Sequence, residues 1–365
     1  MKFLDLTSRT GEWLRGGGPL QDVVISSRVR LARNLAGMPF LSRCTHEQRA
    51  DLERRLRDEI LQANLAPEMF YVDVAAAGEL DRQLLVERHL VSRQHASGAE
   101  GAGDKKSPPK PTTHPRGVAV SGDETLAIMV NEEDHLRIQV LRSALQLEQA
   151  VEEIRRIDDL LEQRLDFAFH PRYGYLTACP TNVGTGLRVS VMLHLPALKM
   201  TGEIEKAFRA ARDMRLAIRG LYGEGTEASG DFFQVSNQTT LGKNEQEIVQ
   251  EFHDQILPEL IQYEKRARAS LLQRNRTAME DKAYRSLAVL RSARTITSDE
   301  TMYLLSLLRL GVNLGILADI DLRVVNELFL LAQPAHLQRM LKAELSPAQR
   351  GVARADLLRK RLAAV

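Results

Sequence analysis

The sequence predicts an α+β protein in two parts: strands and helices interleaved over residues 23–262, then helices alone over 263–365, behind a short N-terminal segment, 1–22. Three patterns carry this prediction. Leu187, Val189, Val191, Leu193 and Leu195 alternate with Arg188, Ser190, Met192 and His194, a period of two that marks a strand. Glycine-rich stretches punctuate the chain up to Gly230. From about Ile256 onward the apolar residues recur at helical spacing only.

Taken in order, Gly16-Gly17-Gly18-Pro19 separates the N-terminal segment from Val23-Val24-Ile25, which reads as a strand or extended anchor. Leu52, Leu56 and Ile60 lie on one face of a helix over Thr45–Ala63. Residues 96–117 are rich in Gly, Ser, Pro and Lys, with little to bury, and read as a flexible insertion. Thr125–Val130 reads as a strand. Leu141, Leu145, Val151, Ile154, Leu161 and Leu165 predict one long amphipathic helix over Val140–Leu165. A helix over Glu203–Leu216 leads into the glycine-rich Gly223–Gly230, and Phe232–Ser236 reads as a further strand. In the helical part, Thr297-Ser298-Asp299-Glu300 has the residue types of a capping box, and Pro334 suits a first helical turn.

The bulk numbers exclude several classes. The chain has 365 residues, 44% of them hydrophobic, enough for two or more cores. Its 50 basic and 48 acidic residues leave a net charge of +2, with no whole-chain attraction to nucleic acid or an anionic membrane. The two cysteines, Cys44 and Cys179, are too far apart in sequence to suggest a disulfide framework and fit a reducing compartment. No apolar run is long enough for a bilayer, and Met1–Asp5 does not open a signal peptide, so a soluble cytoplasmic protein is expected.

The residues with chemistry in them are mainly arginines and acids. Arg28 and Arg30, two apart in an extended segment, project from one face. Arg137, Arg188 and Arg219 stand near other strands or glycine loops. The guanidinium fork bonds phosphate oxygens in pairs and stays charged, so five such groups brought together would cradle a polyphosphate. Singly, each is as well explained by a solvated surface charge. Glu132, Glu133 and Asp134 form an acidic cluster, and Glu224 follows Arg219 closely. Such carboxylates form either a solvated turn or a seat for a cationic acceptor or water-held Mg2+. Cys179 is either a small buried hydrophobe or, among arginines, a thiolate facing a cation.

Four strings in this order resemble the guanidino (phosphagen) kinases: Ser26-Ser27-Arg28-Val29-Arg30, Asn131-Glu132-Glu133-Asp134-His135 with Arg137, Cys179 through Arg188, and Arg219-Gly220-Leu221-Tyr222-Gly223-Glu224. The resemblance spans roughly residues 22–262. It implies a glutamine-synthetase-like catalytic domain whose antiparallel sheet is flanked by helices. It further implies ATP and Mg2+, the metal held by phosphates and water with no direct protein ligand. Arg28, Arg30, Arg137, Arg188 and Arg219 would hold phosphates, and His95 would contact the nucleotide. Ser26, Ser27, Val29, Val189, Ser190, Val191 and Met192 would shape the nucleotide site mainly through backbone, Gly220, Leu221, Tyr222, Gly223 and Glu224 would bind the nucleotide with them, and the glycine-rich Gly223–Gly230 would close over the site. Glu133 would be the catalytic carboxylate, Glu224 its partner at the acceptor, and Cys179 would lie beside the acceptor guanidinium.

Within the family, the short segment before Ser26, the helical C-terminal part and Glu87-Arg88-His89-Leu90-Val91-Ser92 resemble the bacterial branch that phosphorylates arginine residues in proteins. That branch implies protein substrates, a Clp-type protease or chaperone, a stress-response role, an activator protein and a homodimer, with no nucleic acid and no membrane. Two departures stand out. Small-substrate members often carry His where this chain has Met192. The branch's C-terminal phosphoarginine motif, Arg-Asp-x-x-Arg-Ala, reads Arg350-Gly351-Val352-Ala353-Arg354-Ala355 here, so Arg350 and Arg354 form either an allosteric phosphoarginine reader or a basic surface helix. A kinase for free arginine, and a phosphoarginine-binding protease adaptor, are the alternatives. The adaptor would be expected to lack Glu133, Cys179 or a cradle arginine, and all are present.

Overall fold

A computed structural model describes residues 6–7, 10–98, 113–221 and 229–363. The strands are β1 (Val24–Arg33), β2 (Phe70–Asp73), β3 (Gly117–Val120), β4 (Leu126–Val130), β5 (Leu136–Ser143), β6 (Phe169–His170), β7 (Gly174–Tyr175), β8 (Leu187–His194), β9 (Leu216–Arg219) and β10 (Phe232–Asn237). Helices in the first part are α1 (His46–Gln62), α2 (Glu79–Glu87), α3 (Arg93–Ser97), α4 (Leu147–Glu162), α5 (Pro196–Met200), α6 (Ile204–Asp213) and α7 (Glu245–Gln250). The helical part holds α8 (Leu257–Ser292), α9 (Ser298–Asn313), α10 (Leu322–Leu331), α11 (Pro334–Leu341) and α12 (Pro347–Ala363).

Eight strands form one antiparallel sheet in the order β2-β3-β4-β5-β1-β8-β10-β9, and β6 with β7 makes a separate hairpin. Alternation sorts its side chains onto two unlike faces. One face carries Val29, Leu31, Ile138, Val140, Val189, Val191 and Leu193, packed under α1, α4, α6 and the first turns of α8. On the other face the strands present arginines near the middle. Toward the β1 N-terminus they present Ile25, Leu141, Met192 and Phe232, which pack with Trp13 against α9, α10 and α12. Both faces of β8 are therefore buried, and the period-two signal survives because the burying partners differ in kind.

α8 is shared. Leu257, Leu260, Ile261 and Ala267 belong to the first core, while Ala283, Leu287 and Leu290 belong to the second. Between them Asn275 leaves helical geometry at φ −153°, ψ 59°. The caps read from sequence take their places: Thr297 accepts the Glu300 amide at 3.1 Å, and Pro334 opens α11.

Two expectations need correction. Val140–Leu165 is not one helix. Strand β5 runs to Ser143, Ala144 breaks the chain at φ +56°, and α4 starts only at Leu147. Leu141 and Leu145 sit four apart by coincidence: Leu141 points into the second core from a strand, while α4 packs on the opposite face. The insertion is also narrower than its composition suggests. Ala96 is buried in α3, and Arg116 is buried with its guanidinium on the carbonyls of His95 (2.7 Å) and His114 (3.1 Å). Residues 99–112 lie outside the described residues. The strands β2, β3 and β9 and the helix α2 carry no period long enough to be read from the sequence, whereas β5 alternates Leu136, Ile138 and Val140 with Arg137 and Gln139, a signal the sequence reading missed.

Buried polar groups weld the two parts. Glu87, at the end of α2, accepts the amides of Ala335 (2.9 Å) and His336 (3.1 Å) at the start of α11, where a carboxylate meets the positive end of the helix. Arg88 beside it bonds Glu124 at 2.9 Å and His336 at 3.1 Å. At the end of β8, His194 lies between Ser306 (2.9 Å) and Arg309 (2.9 Å) of α9.

Several of these histidines are stored neutral. Burial, reinforced by Arg28 and Arg93, holds His89 at about 3. Burial holds His95 at about 4 despite Glu132 nearby, and burial with Arg309 and Arg268 holds His194 well below its ordinary value. Between those folded values and the ordinary value near 6.5, the unfolded chain binds protons that the folded chain refuses. Stability is then lost as pH falls. Thermal melts at pH 7.5 and pH 5 are expected to give a clearly lower Tm at pH 5; an unchanged Tm would mean that these rings protonate in place.

Candidate active site

The sheet register gathers the arginines. On β1, Arg30 lies directly across from Arg188 of β8, and Arg28 across from Ser190. On the other side of β1, Arg137 of β5 pairs with Ala32. Arg219 of β9 pairs with Gln234 of β10, which in turn pairs with Met192. Counting in twos from these pairs puts all five arginines on the same face.

Their electrostatics agree. Burial first, then repulsion from Arg137, Arg188 and Arg219, pulls Arg28 down to about 9. Burial and the other four arginines hold Arg30 well below its ordinary value. Arg28 donates to Gln234 Oε1 at 2.8 Å and Arg188 to Ser236 Oγ at 3.3 Å. Among the described residues, Arg30 Nε is buried without a hydrogen-bond partner. A cluster of half-buried like charges with an orphaned donor is costly in itself. Phosphate oxygens would supply both the opposite charge and the missing acceptors, so these residues fit a nucleotide polyphosphate.

The acidic cluster is the turn between β4 and β5, at the end of the sheet where β1 ends and β8 begins. Its three acids do three different things. Glu132 is buried and accepts from Ser92 Oγ (2.7 Å) and Arg137 (2.6 Å). Burial alone would raise its carboxyl, but Arg137, Ser92, His95 and the Glu133 amide together hold it below the ordinary value. Asp134 accepts from Asn34 (2.6 Å) and from the Ala178 amide (2.7 Å), tying the turn to the loop that carries Cys179. Glu133 is half-buried and 3.7 Å from Arg137. Burial, with Glu132 and Asp134 adding to it against Arg137, raises its carboxyl above the ordinary value. A carboxylate so placed is a better proton acceptor than a free one.

Cys179 lies in this group. It is half-buried, with Sγ 3.0 Å from Thr181 Oγ1, and close enough to Arg137 to support the arginine's charge. Its loop needs glycine at one point above all. Gly184 sits at φ +115°, and a Cβ there would come within 2.5 Å of the Thr240 carbonyl oxygen. The glycines of this run therefore seat the loop against its neighbours.

Other predicted residues divide. Ser26 and Arg28 line a small cavity with Trp13, His89, Leu141, Ser190, Met192 and Gln234. His95 is buried, with Nε2 3.0 Å from the Gly117 carbonyl and Nδ1 unpartnered among the described residues. Val29, Val189 and Val191 point into the opposite core, and Ser27 bonds the Ala144 carbonyl at 2.9 Å. These four can reach the site through backbone only. Gly220 is buried, and Leu221 packs in the second core. Tyr222, Gly223 and Glu224 lie outside the described residues.

Arg350 and Arg354 stand far along the chain on α12. Arg354 is buried and donates to the carbonyls of Ala332 (2.8 Å) and Ile296 (3.0 Å); Arg350 donates to that of Leu345 at 2.8 Å. A Cβ at Gly351 would lie 2.7 Å from Thr295 Oγ1, so glycine here goes with a close seat of α12 on the 293–297 connection.

Sequence reasoning passed over Asn34 and Gln234, and gave Ser92, Glu132 and Asp134 no roles of their own. The acidic run held the signal for two of them, since three consecutive acids in a turn cannot all face the same way.

Comparison with known proteins gives the following. The family model "ATP:guanido phosphotransferase, C-terminal catalytic domain" matches residues 51–267, and "Protein-arginine kinase McsB C-terminal domain" matches 276–365. The two matches fall on either side of the Asn275 break. Protein-arginine kinase of Symbiobacterium thermophilum is 46% identical over 100% of both chains. That of Halothermothrix orenii is 42% identical over 99% of each. Among solved structures, the duplicated taurocyamine kinase from Schistosoma mansoni superposes with a TM-score of 0.57 at 26% identity, over 72% of this chain and 36% of the longer, duplicated one.

Proposed function

The chain belongs to the ATP:guanido phosphotransferase family, and from that membership we propose a residue-level account of how it moves the γ-phosphoryl of ATP to arginine side chains of proteins. The observation that carries the account is the gathering, on one sheet face, of five mutually repelling arginines that lead to a raised carboxyl and a thiol at the end of that face.

Arg28, Arg30, Arg137, Arg188 and Arg219 hold the phosphate chain and neutralise charge as it develops on the transferring group. Mg2+ would be held by the phosphates and water, with no direct protein ligand, and would supply further charge neutralisation there. A protonated arginine acceptor has no free lone pair, so its guanidinium has to lose a proton as it attacks. Glu133 Oε takes that proton while the new N–P bond forms and the bond from the γ-phosphorus to the ADP oxygen breaks. Glu132 keeps Arg137 and the Glu133 backbone in place, with its Oε2 3.0 Å from the Glu133 amide. Cys179 faces the acceptor guanidinium as a soft, polarisable neighbour, and Glu224 is the partner carboxylate of Glu133 at the acceptor. His95 contacts the nucleotide through Nδ1. On α12, Arg350 and Arg354 serve the helical part as carbonyl anchors.

A homodimer, an activator protein, delivery of marked proteins to a Clp-type protease and a stress-response role belong to the same proposal, supported by the likeness to the protein-arginine branch. No helix of the described residues is long and apolar enough to cross a membrane.

The test is incubation with ATP and an unfolded, arginine-rich protein, beside free arginine. The expected product is an acid-labile, base-stable phosphate on protein arginine, with free arginine labelled far more slowly. Equal labelling of free arginine would turn the reading toward a small-molecule kinase.

A further inference from the structure

Beside the Cys179 loop lies a cleft that the reaction itself does not use. It has a volume of about 490 Å3, within the range of ligand sites, and it opens between the turn before β9, the loop after β10 and α7. Its floor is apolar: Leu216, Ile248, Phe252 and Ile256, all buried. Its walls include Met214 and Leu241, which are 41% and 55% exposed. The charges at its rim are balanced, Asp213 and Glu251 against Arg215 and Lys243, and Lys243 is paired with Glu251. The cleft therefore joins an apolar floor to a polar wall of Asn237, Gln238 and Thr239, and has no preference for one sign of charge.

Its position gives it meaning. Strands β1 and β10 end, and strands β5, β8 and β9 begin, at the same edge of the sheet. Glu133 and Cys179 stand at that edge, and the cleft continues it beyond β8. The connection is direct. Thr240 Oγ1 donates to the carbonyls of Thr181 (3.2 Å) and Val183 (2.7 Å), and Cys179 Sγ is 3.0 Å from Thr181 Oγ1. Thr240 stands between Thr239 and Leu241 of the cleft wall and so ties that wall to the loop of the thiol. On the other flank, the β6–β7 hairpin bonds the same loop, with Tyr175 N 2.8 Å from the Gly184 oxygen, and exposes Phe169 and Tyr173. The loop at the acceptor position is bordered on both sides by exposed apolar side chains.

We propose that this cleft takes an apolar side chain of the protein substrate, a few residues from the acceptor arginine, when that segment is unfolded and extended. The proposal rests on Glu133 and Cys179 marking the acceptor end. An extended chain advances about 3.3 Å per residue, so a neighbour of the acceptor arginine within a few positions reaches the cleft. In a folded protein such a side chain is buried, and it becomes available only on unfolding. The cleft would then make the enzyme prefer arginines in unfolded segments, on the strength of a local contact.

The experiment uses the full chain, saturating ATP, and peptides of one arginine in a serine-glycine background, with one leucine moved through successive positions on either side. The wild type is expected to favour the best leucine peptide over the all-serine peptide about 10-fold or more in kcat/KM, the worth of burying one such side chain. Leu241→Asp and Thr239→Trp, both at exposed positions, should each bring that ratio close to one, chiefly through KM. Leu61→Asp, at an exposed leucine on α1, should preserve it. If both peptides are phosphorylated on arginine equally well by the wild type, or the cleft variants keep the preference, the cleft is not a substrate site although the kinase assignment stands. If neither peptide is phosphorylated on arginine, the acceptor reading falls and the cleft proposal with it.

Discussion

Glu133→Gln is expected to lower kcat by about 10²–10⁴-fold, the usual worth of a positioned proton acceptor, with ATP affinity unchanged. The geometry says why the effect should be confined to the chemical step. Glu133 is half-exposed and its closest charged contact is the loose 3.7 Å approach to Arg137. The turn that carries it is held by other groups: Asn131 on the carbonyls of Arg49 and Pro115, and Asp134 on Asn34 and Ala178. Arg137 keeps its tighter bond to Glu132. The glutamine is isosteric and can still bond a guanidinium, but it cannot take the proton. Single-turnover phosphorylation of an arginine-rich protein separates chemistry from binding. A variant that turns over at the wild-type rate would move the proton to another group.

Arg30→Met is expected to do two opposite things. Phosphoryl transfer should fall by about 10³-fold or more, in the range seen when an arginine is taken from a phosphoryl-transfer site. The protein without nucleotide should melt about 2–4 °C higher, the shift that roughly 1 kcal/mol produces in a domain of 150–250 residues. Arg30 is half-buried among four like charges; desolvation of its guanidinium first, and their repulsion second, holds it well below its ordinary value, and its Nε lacks a partner among the described residues. Methionine keeps much of the side chain's apolar stem and removes the repulsion. The gain in stability that ATP gives the wild type should shrink sharply in the variant. Melting temperatures with and without Mg·ATP measure both effects. A variant that melts lower than the wild type without nucleotide, or is stabilised by ATP as strongly, would show that Arg30 is structural.

Much of the site was legible because its parts are local. Arg28 and Arg30 two apart, and Arg188 at the head of an alternating run, declare a shared face before any pairing is known. The register that brings Arg137 and Arg219 to the same face is a non-local property, and the sequence supplied it only through likeness to a family. β5 was misread because Leu141 and Leu145 mimic a helical step across a strand end, and Ala144, which breaks the chain there, has no residue-type signature. Arg116 looked solvated because its partners are backbone carbonyls, which have no letter in the sequence. The division of work among Glu132, Glu133 and Asp134 was invisible for a related reason: it depends on Ser92, Asn34 and Ala178, each from a different part of the chain.

The joint between the two matched families falls in the middle of α8, yet it is no seam. The floor on which α9, α10 and α12 rest is Trp13, Ile25, Leu141, Met192 and Phe232, all from the part that holds the arginines. A chain cut at Asn275 would leave that floor open to water as a continuous greasy surface, and would remove the amides of Ala335 and His336 that Glu87 accepts. Gene fusion or exchange between relatives at this joint would thus have to carry the floor residues along with the helices. The two halves are separate as inheritance and inseparable as a solid.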